Sequence, residues 1–149
     1  LLEILVNKQV QQTTQEKQAN TSSTSQTLFN LKLLAYERII LFIERIKPDS
    51  FIPRTLSPSL PYQEYQLLLI NEIRKEFEYN LSQQLYLSEN AWEVTVNFKD
   101  NIITLINSAA TSCPPQATAS DLARKILEHY ISSDLKGDQI LKIVKAEIQ

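Results

Sequence analysis

The sequence predicts an all-α protein: a single-domain helical bundle of four to five helices with a Pro-rich crossover loop. Three observations carry this prediction. Apolar residues recur at three- and four-residue spacing in long blocks, and no segment shows the two-residue alternation of a half-buried strand. Four of the six prolines fall within one connection, Pro48 to Pro61. With 149 residues the chain has the length of one domain, and it can bury roughly two-thirds of its unfolded surface without a disulfide or metal.

Taken in order, residues 1–10 form a short apolar-rich piece, LLEILVNKQV. It runs into QQTTQEKQANTSSTSQT, whose Gln, Ser and Thr content is that of a solvated linker. The expected division is therefore 1–27 as an apolar start and polar linker, and 28–149 as the bundle. From Leu28 the pattern turns strongly helical. Asn30, Glu37 and Glu44 repeat every seven residues with Arg38 and Arg45 beside them, leaving Leu31, Ala35, Ile39, Phe42, Ile43 and Ile46 as a wide apolar face. A helix with so little polar surface packs against several neighbours, so this is the predicted central helix, ended by Pro48.

The stretch PDSFIPRTLSPSLP is expected to cross over in extended form, because proline interrupts the helix ladder. A second helix is expected from Tyr62 to Leu87, with Leu69, Ile70, Ile73, Phe77 and Leu81 inward. Ser88 is a candidate N-cap, with Leu87 and Trp92 placed as a hydrophobic staple. The third helix then runs to Ala110 with Trp92, Val96, Ile102, Ile103 and Ile106 inward. With neither Gly nor Pro at this junction, one long rod is the alternative. After Cys113-Pro114-Pro115 a fourth helix uses Leu122, Ile126, Leu127, Tyr130 and Ile131. Gly137 reads as a stop and Asp138 as the N-cap of a short last helix.

Composition excludes several chemistries. The net charge of −2, with basic and acidic residues alternating, argues against a nucleic-acid partner, whose affinity needs clustered Lys and Arg. Gly137 is the only glycine, so glycine-rich phosphate loops are absent. Carboxylate-bridged metal sites in bundles need Glu-x-x-His pairs, and His129, the only histidine, is in no such pair. Cys113 stands alone and lacks an adjacent base. No serine lies in a G-x-S-x-G elbow. No catalytic, metal or cofactor residue is expected, and the protein reads as a non-enzyme. The apolar runs are far shorter than the ~20 residues of a membrane span.

Four positions stand out as a candidate polar core or binding group: Asn80, Gln84, Trp92 and Lys99. Projected at about 100° per residue, Asn80 and Gln84 share a face with Ile73, Phe77 and Leu81. Burying an amide without a partner costs ~1–3 kcal/mol, so each is expected to be hydrogen-bonded across the bundle. Lys99, flanked by Trp92, Val96, Ile103 and Ile106, must snorkel outward along apolar surface or meet a buried acceptor. The plainer reading is a polar layer fixing helix register; the other is a small-molecule or lipid cavity lined by Asn80, Gln84 and Lys99.

The blocks YERIILFIERIKPDSFIPR (Tyr36–Arg54) and EIRKEFEYNLSQQLYLSENAWE (Glu72–Glu93) resemble an uncharacterised family of small proteins from Bacteroidota. The similar region covers roughly Leu31 to Asn107. In that family a membrane helix precedes a soluble helical domain, so the resemblance implies an upstream membrane anchor and a domain on the cytoplasmic face of the inner membrane. The absence of methionine and the apolar start at Leu1 agree with a missing upstream segment. The resemblance supplies no activity and no catalytic residues. The expected function is thus membrane-tethered interaction or scaffolding through a protein partner or self-association; the alternative is a small-molecule or lipid-binding bundle.

Overall fold

The structure, a computed structural model, describes residues 2–134 and 136–148, the side chains of 14–19 excepted. In chain order it contains α1 (Leu2–Ile46), α2 (Pro48–Thr55), α3 (Tyr62–Tyr79), a 3-10 helix (Leu81–Tyr86), α4 (Glu89–Thr111), α5 (Ala119–Ser132) and α6 (Gly137–Ala146). The all-α class holds, but its architecture needs correction. Six α-helices and one 3-10 helix stand among the described residues where four to five helices were expected. The chain divides into two compact units, Leu1–Leu34 and Ala35–Gln149.

Each difference has a local cause. The polar stretch before Leu28 lies within α1; it contains neither Gly nor Pro to interrupt the helix. Thr13, Thr24 and Thr27 donate to the carbonyls four residues earlier, Gln9, Asn20 and Ser23, a local bond that helical backbone accepts. Linker-like composition alone does not break a helix that has no breaker.

In the proline-rich connection, Pro48 occupies the first turn of α2, where its missing N–H and fixed φ cost nothing. Pro53 lies inside the same helix, yet Phe51 and Ile52 are buried beside it. Burying two such side chains contributes roughly 3–6 kcal/mol, enough to offset one lost ladder bond. Thr55 closes the element by donating to Phe51 O at 2.9 Å. The expected extended crossover therefore shrinks to the short link between Thr55 and Tyr62.

The second unit has one apolar core. Ala35, Ile39, Phe42, Ile43 and Ile46 of α1 meet Tyr65, Leu69 and Ile73 of α3, and Phe98, Ile102 and Ile106 of α4. α3, α4 and α5 pack against one another, α6 packs on α4, and α2 on α5. An isolated antiparallel bridge between Pro61 and Thr118 pins the starts of α3 and α5 together: Tyr62 N donates to Ala117 O at 3.1 Å and Ala119 N to Leu60 O at 2.7 Å. At the head of α5 the Asp121 carboxylate accepts from the Thr118 N–H at 3.0 Å, which holds the acid below its ordinary value.

α4 starts at the predicted cap: Ser88 Oγ accepts from Ala91 N at 3.0 Å. Its buried face is Ala91, Thr95, Phe98, Ile102, Ile106 and Ala109, about one residue from the predicted face. Small residues made the difference, since Ala91, Thr95 and Ala109 admit close helix approach that large apolar residues would block.

Gly137 begins α6 instead of stopping α5. Its N–H donates to Tyr130 Oη at 2.7 Å, and a Cβ there would lie 3.1 Å from both Lys47 Cβ and Tyr130 Oη. The absent side chain is what allows Lys47, at the junction of α1 and α2, and Tyr130 of α5 to approach the start of α6. Gly137→Ala is therefore expected to cost about 1–3 kcal/mol by overpacking, read from the urea midpoint; an unchanged midpoint would contradict the close approach.

Glu147 ties the C-terminal end back to the head of α4. Its carboxylate accepts from Ser88 Oγ, from Asn90 Nδ2 at 2.8 Å and from Tyr36 Oη at 3.1 Å. The Ser88 and Asn90 bonds hold its acid below the ordinary glutamate value. A folded value below the unfolded one means stability present above the unfolded pKa and lost as pH falls through the folded pKa. The melting temperature should accordingly drop as pH falls below 4.5, and Glu147→Gln should make that drop shallower. Identical acid profiles for the two proteins would sink this assignment.

Candidate functional site

The site begins where α3 stops. Asn80 leaves helical geometry at φ −105°, ψ 2°, and its Nδ2 donates to Glu76 O at 2.8 Å. A short amide side chain that takes up a carbonyl one turn back competes with the helix ladder and favours a terminus. Asn80 N donates to Phe77 O at 2.9 Å, and Gln83 N to Asn80 O at 3.1 Å. The chain thereby passes into the 3-10 helix before the Ser88 cap.

This change of winding redistributes the amides. A 3-10 helix advances about 120° per residue against about 100° for an α-helix, so four residues accumulate an offset of about 80°. Gln84 consequently faces solvent, and Gln83 is buried in its place. Leu81 and Leu85 turn outward, with relative exposures of 45% and 79%. Asn80 is half-buried and bonded within its own helix end rather than across the bundle.

Lys99 and Trp92 meet at a different point. Phe77 stacks on Trp92 with ring centroids 5.4 Å apart and contacts Phe42 at 6.0 Å. The Lys99 ammonium lies 4.1 Å from the Phe77 centroid and 2.9 Å from Asp100 Oδ1. Its stem is mostly covered, at 16% exposure. The lysine runs along apolar surface and pairs with a carboxylate that is 59% exposed, rather than with a buried acceptor. A cation held over an aromatic face contributes about 0.5–2 kcal/mol.

Beside Phe42 opens a cleft of about 250 Å³, lined by Arg38, Leu41, Phe42, Arg45, Glu76, Tyr79 and Asn80. α1 supplies one wall, and the end of α3 with its Asn80 stop supplies the other. Glu76 Oε1 accepts from Arg45 Nε at 3.0 Å and Nη2 at 2.8 Å, and Arg54 Nη2 lies 3.7 Å from the same oxygen. The Glu76 bond raises the Arg45 pKa further above its already high value. Arg54 also donates to Arg45 O at 3.0 Å, so the pair is braced from α2. Arg38 lines this cleft, and its side chain makes no hydrogen bond or ion pair among the described residues. Leu41 and Tyr79 are 58% and 78% exposed.

Of the four predicted positions, the structure joins Trp92 and Lys99 through Phe77, places Asn80 in the cleft, and leaves Gln84 outside both. Arg38, Arg45 and Glu76 were not singled out from sequence; the only signal was the polar stripe with Arg38 and Arg45 seven residues apart. Elsewhere, Cys113 is buried, its Sγ directed at Ala109 O. Burial pushes this thiol up, away from thiolate at neutral pH. Among the described residues no group of three His, Cys, Asp or Glu side chains could hold a metal ion.

The lysine is open to a direct test. Lys99→Ala should destabilise the protein by about 1–2 kcal/mol through lost stem packing and lost cation–π contact. Lys99→Met, which restores the stem but not the charge, should recover part of this. Equal losses in urea unfolding would mean that the packing of the stem contributes nothing.

No curated protein matches the chain, and neither does any solved structure. The model of one protein family, described as a family of unknown function, matches residues 1–149. Covering the two blocks around Tyr36–Arg54 and Glu72–Glu93 and everything between and beyond them, that match places this chain in the family of unknown function DUF7935.

Proposed function

We propose that the chain is a non-enzymatic helical interaction or scaffolding domain that binds another protein or itself. One observation carries the reading: around the end of α3, Leu41, Tyr79, Leu81 and Leu85 are large side chains left 45–79% exposed. Apolar side chains gathered on one part of a surface mark interaction sites more often than scattered ones do. Cys113 is buried, with its thiol pushed up by that burial, a setting that disfavours a thiolate nucleophile.

The tether is the finer part of the proposal. No helix among the described residues is long and apolar enough to cross a membrane; an anchor in a segment upstream of this chain is proposed from the family resemblance alone. Placement on the cytoplasmic face of the inner membrane rests on the Tyr36–Arg54 and Glu72–Glu93 resemblance. The lipid- or ligand-cavity reading has no support of this kind, because Gln84 and Lys99 do not line the cleft that holds Asn80.

Size exclusion with light scattering on the isolated chain, followed by cross-linking in native membranes, checks the reading. A concentration-dependent oligomer, or a defined cross-linked partner lost with Tyr79→Ala and Leu85→Ser, is expected. A monomer with no cross-linked partner would contradict it.

A further inference from the structure

The interaction reading leaves open what the exposed surface accepts, and the Arg38 cleft narrows the answer. Resting on that reading, we propose that this cleft docks an acidic, amphipathic segment of a different protein. A carboxylate of the segment lies on the Arg38 guanidinium, and a neighbouring aliphatic side chain covers Leu41 and Tyr79.

Charge complementarity selects the occupant. The chain carries a net charge of −2, yet the cleft gathers Arg38 and Arg45 with one lining carboxylate, Glu76, and Arg45 and Arg54 both pair with that carboxylate. Glu72 is the further acid that acts on Arg45. Arg45 and Arg54 are already committed to Glu76 and brace it from α1 and α2. Arg38, one face and seven residues before Arg45, is uncommitted. A planar guanidinium with free N–H groups is suited to donate two parallel hydrogen bonds to a carboxylate.

The apolar part of the lining decides between occupants. Leu41, Phe42 and the Tyr79 ring give a small lone anion nothing to cover, whereas a segment that alternates acid and aliphatic side chains uses both halves of the cleft. A second copy docked through a two-fold contact at this face would bring Arg38 and Arg45 toward the same pair, and like charges opposed across an interface cost affinity. The surface therefore fits an unlike, acidic partner. Asn80, whose Nδ2 is held by Glu76 O, still presents its amide oxygen to backbone N–H groups of the segment.

The test uses the isotope-labelled chain and a synthetic capped helical peptide with Glu and Leu one turn apart, beside its Gln-for-Glu counterpart. Saturable shifts are expected at the amides of Arg38, Leu41, Tyr79 and Asn80, with the Gln peptide about tenfold weaker, the scale of one charge-assisted contact. Arg38→Ala should weaken the Glu peptide about tenfold and leave the Gln peptide unchanged. The cleft assignment is overturned by equal affinity for the two peptides, by shifts elsewhere, or by no saturable shift. It is also overturned if the same amides shift with chain concentration alone, which would make a second copy the occupant. In each case a cross-linked partner held elsewhere would leave the interaction reading standing.

Discussion

The Asn80 amide bound to the Glu76 carbonyl is the interaction on which the second unit is built. It ends α3 at Tyr79 and starts the 3-10 segment that delivers the chain to Ser88. From there α4 runs back against α3. A helix that ignored Asn80 would carry Leu81 and Gln84 onto the inner face and take Trp92 far from Phe77. The stop instead brings Trp92 onto Phe77 at 5.4 Å, and leaves Tyr79 and Asn80 standing opposite α1 as one wall of the cleft. Local backbone chemistry at one residue thus fixes both a packing contact and an opening.

The same place concentrates the electrostatics. The carbonyl of Glu76, one turn before the stop, accepts from the Asn80 amide, and its carboxylate accepts from Arg45 and pairs with Arg54. It is only 16% exposed on its side chain, so its pairing is less screened than that of a fully solvated bridge. With Glu76 satisfied by two arginines, the third one, Arg38, has no acid left to claim. An interaction surface emerges from a structural brace and the one cation that the brace leaves over.

The sequence shows its helices most clearly where a rule has a single strong signal. Ser88 followed by Trp92 located the start of α4, and the absence of two-residue alternation excluded strands, with the Pro61–Thr118 bridge as the one strand-like pairing among the described residues. Three features were hidden for physical reasons. Pro53 is compatible with helix once Phe51 and Ile52 are buried, a tertiary gain that propensity does not contain. Gln83 and Gln84 exchange faces because the winding changes, and one-residue errors follow from assuming a uniform 100° step. Arg38 looked like the edge of a polar stripe, since whether a surface arginine has a partner depends on Glu76 and Arg54, 38 and 16 residues further along.

Whether the chain turns at Asn80 decides everything above, and residual dipolar couplings of the backbone amides from Tyr62 to Thr111 measure it most directly. The account predicts two helical segments with separate axes, Tyr62–Tyr79 and Glu89–Thr111, joined by a stretch fitting neither. It also predicts a slowly exchanging Gln83 side-chain amide beside a freely exchanging one on Gln84. A single axis fitting all residues from Tyr62 to Thr111 would describe one continuous rod, and would remove the turn, the cleft and the docking surface together.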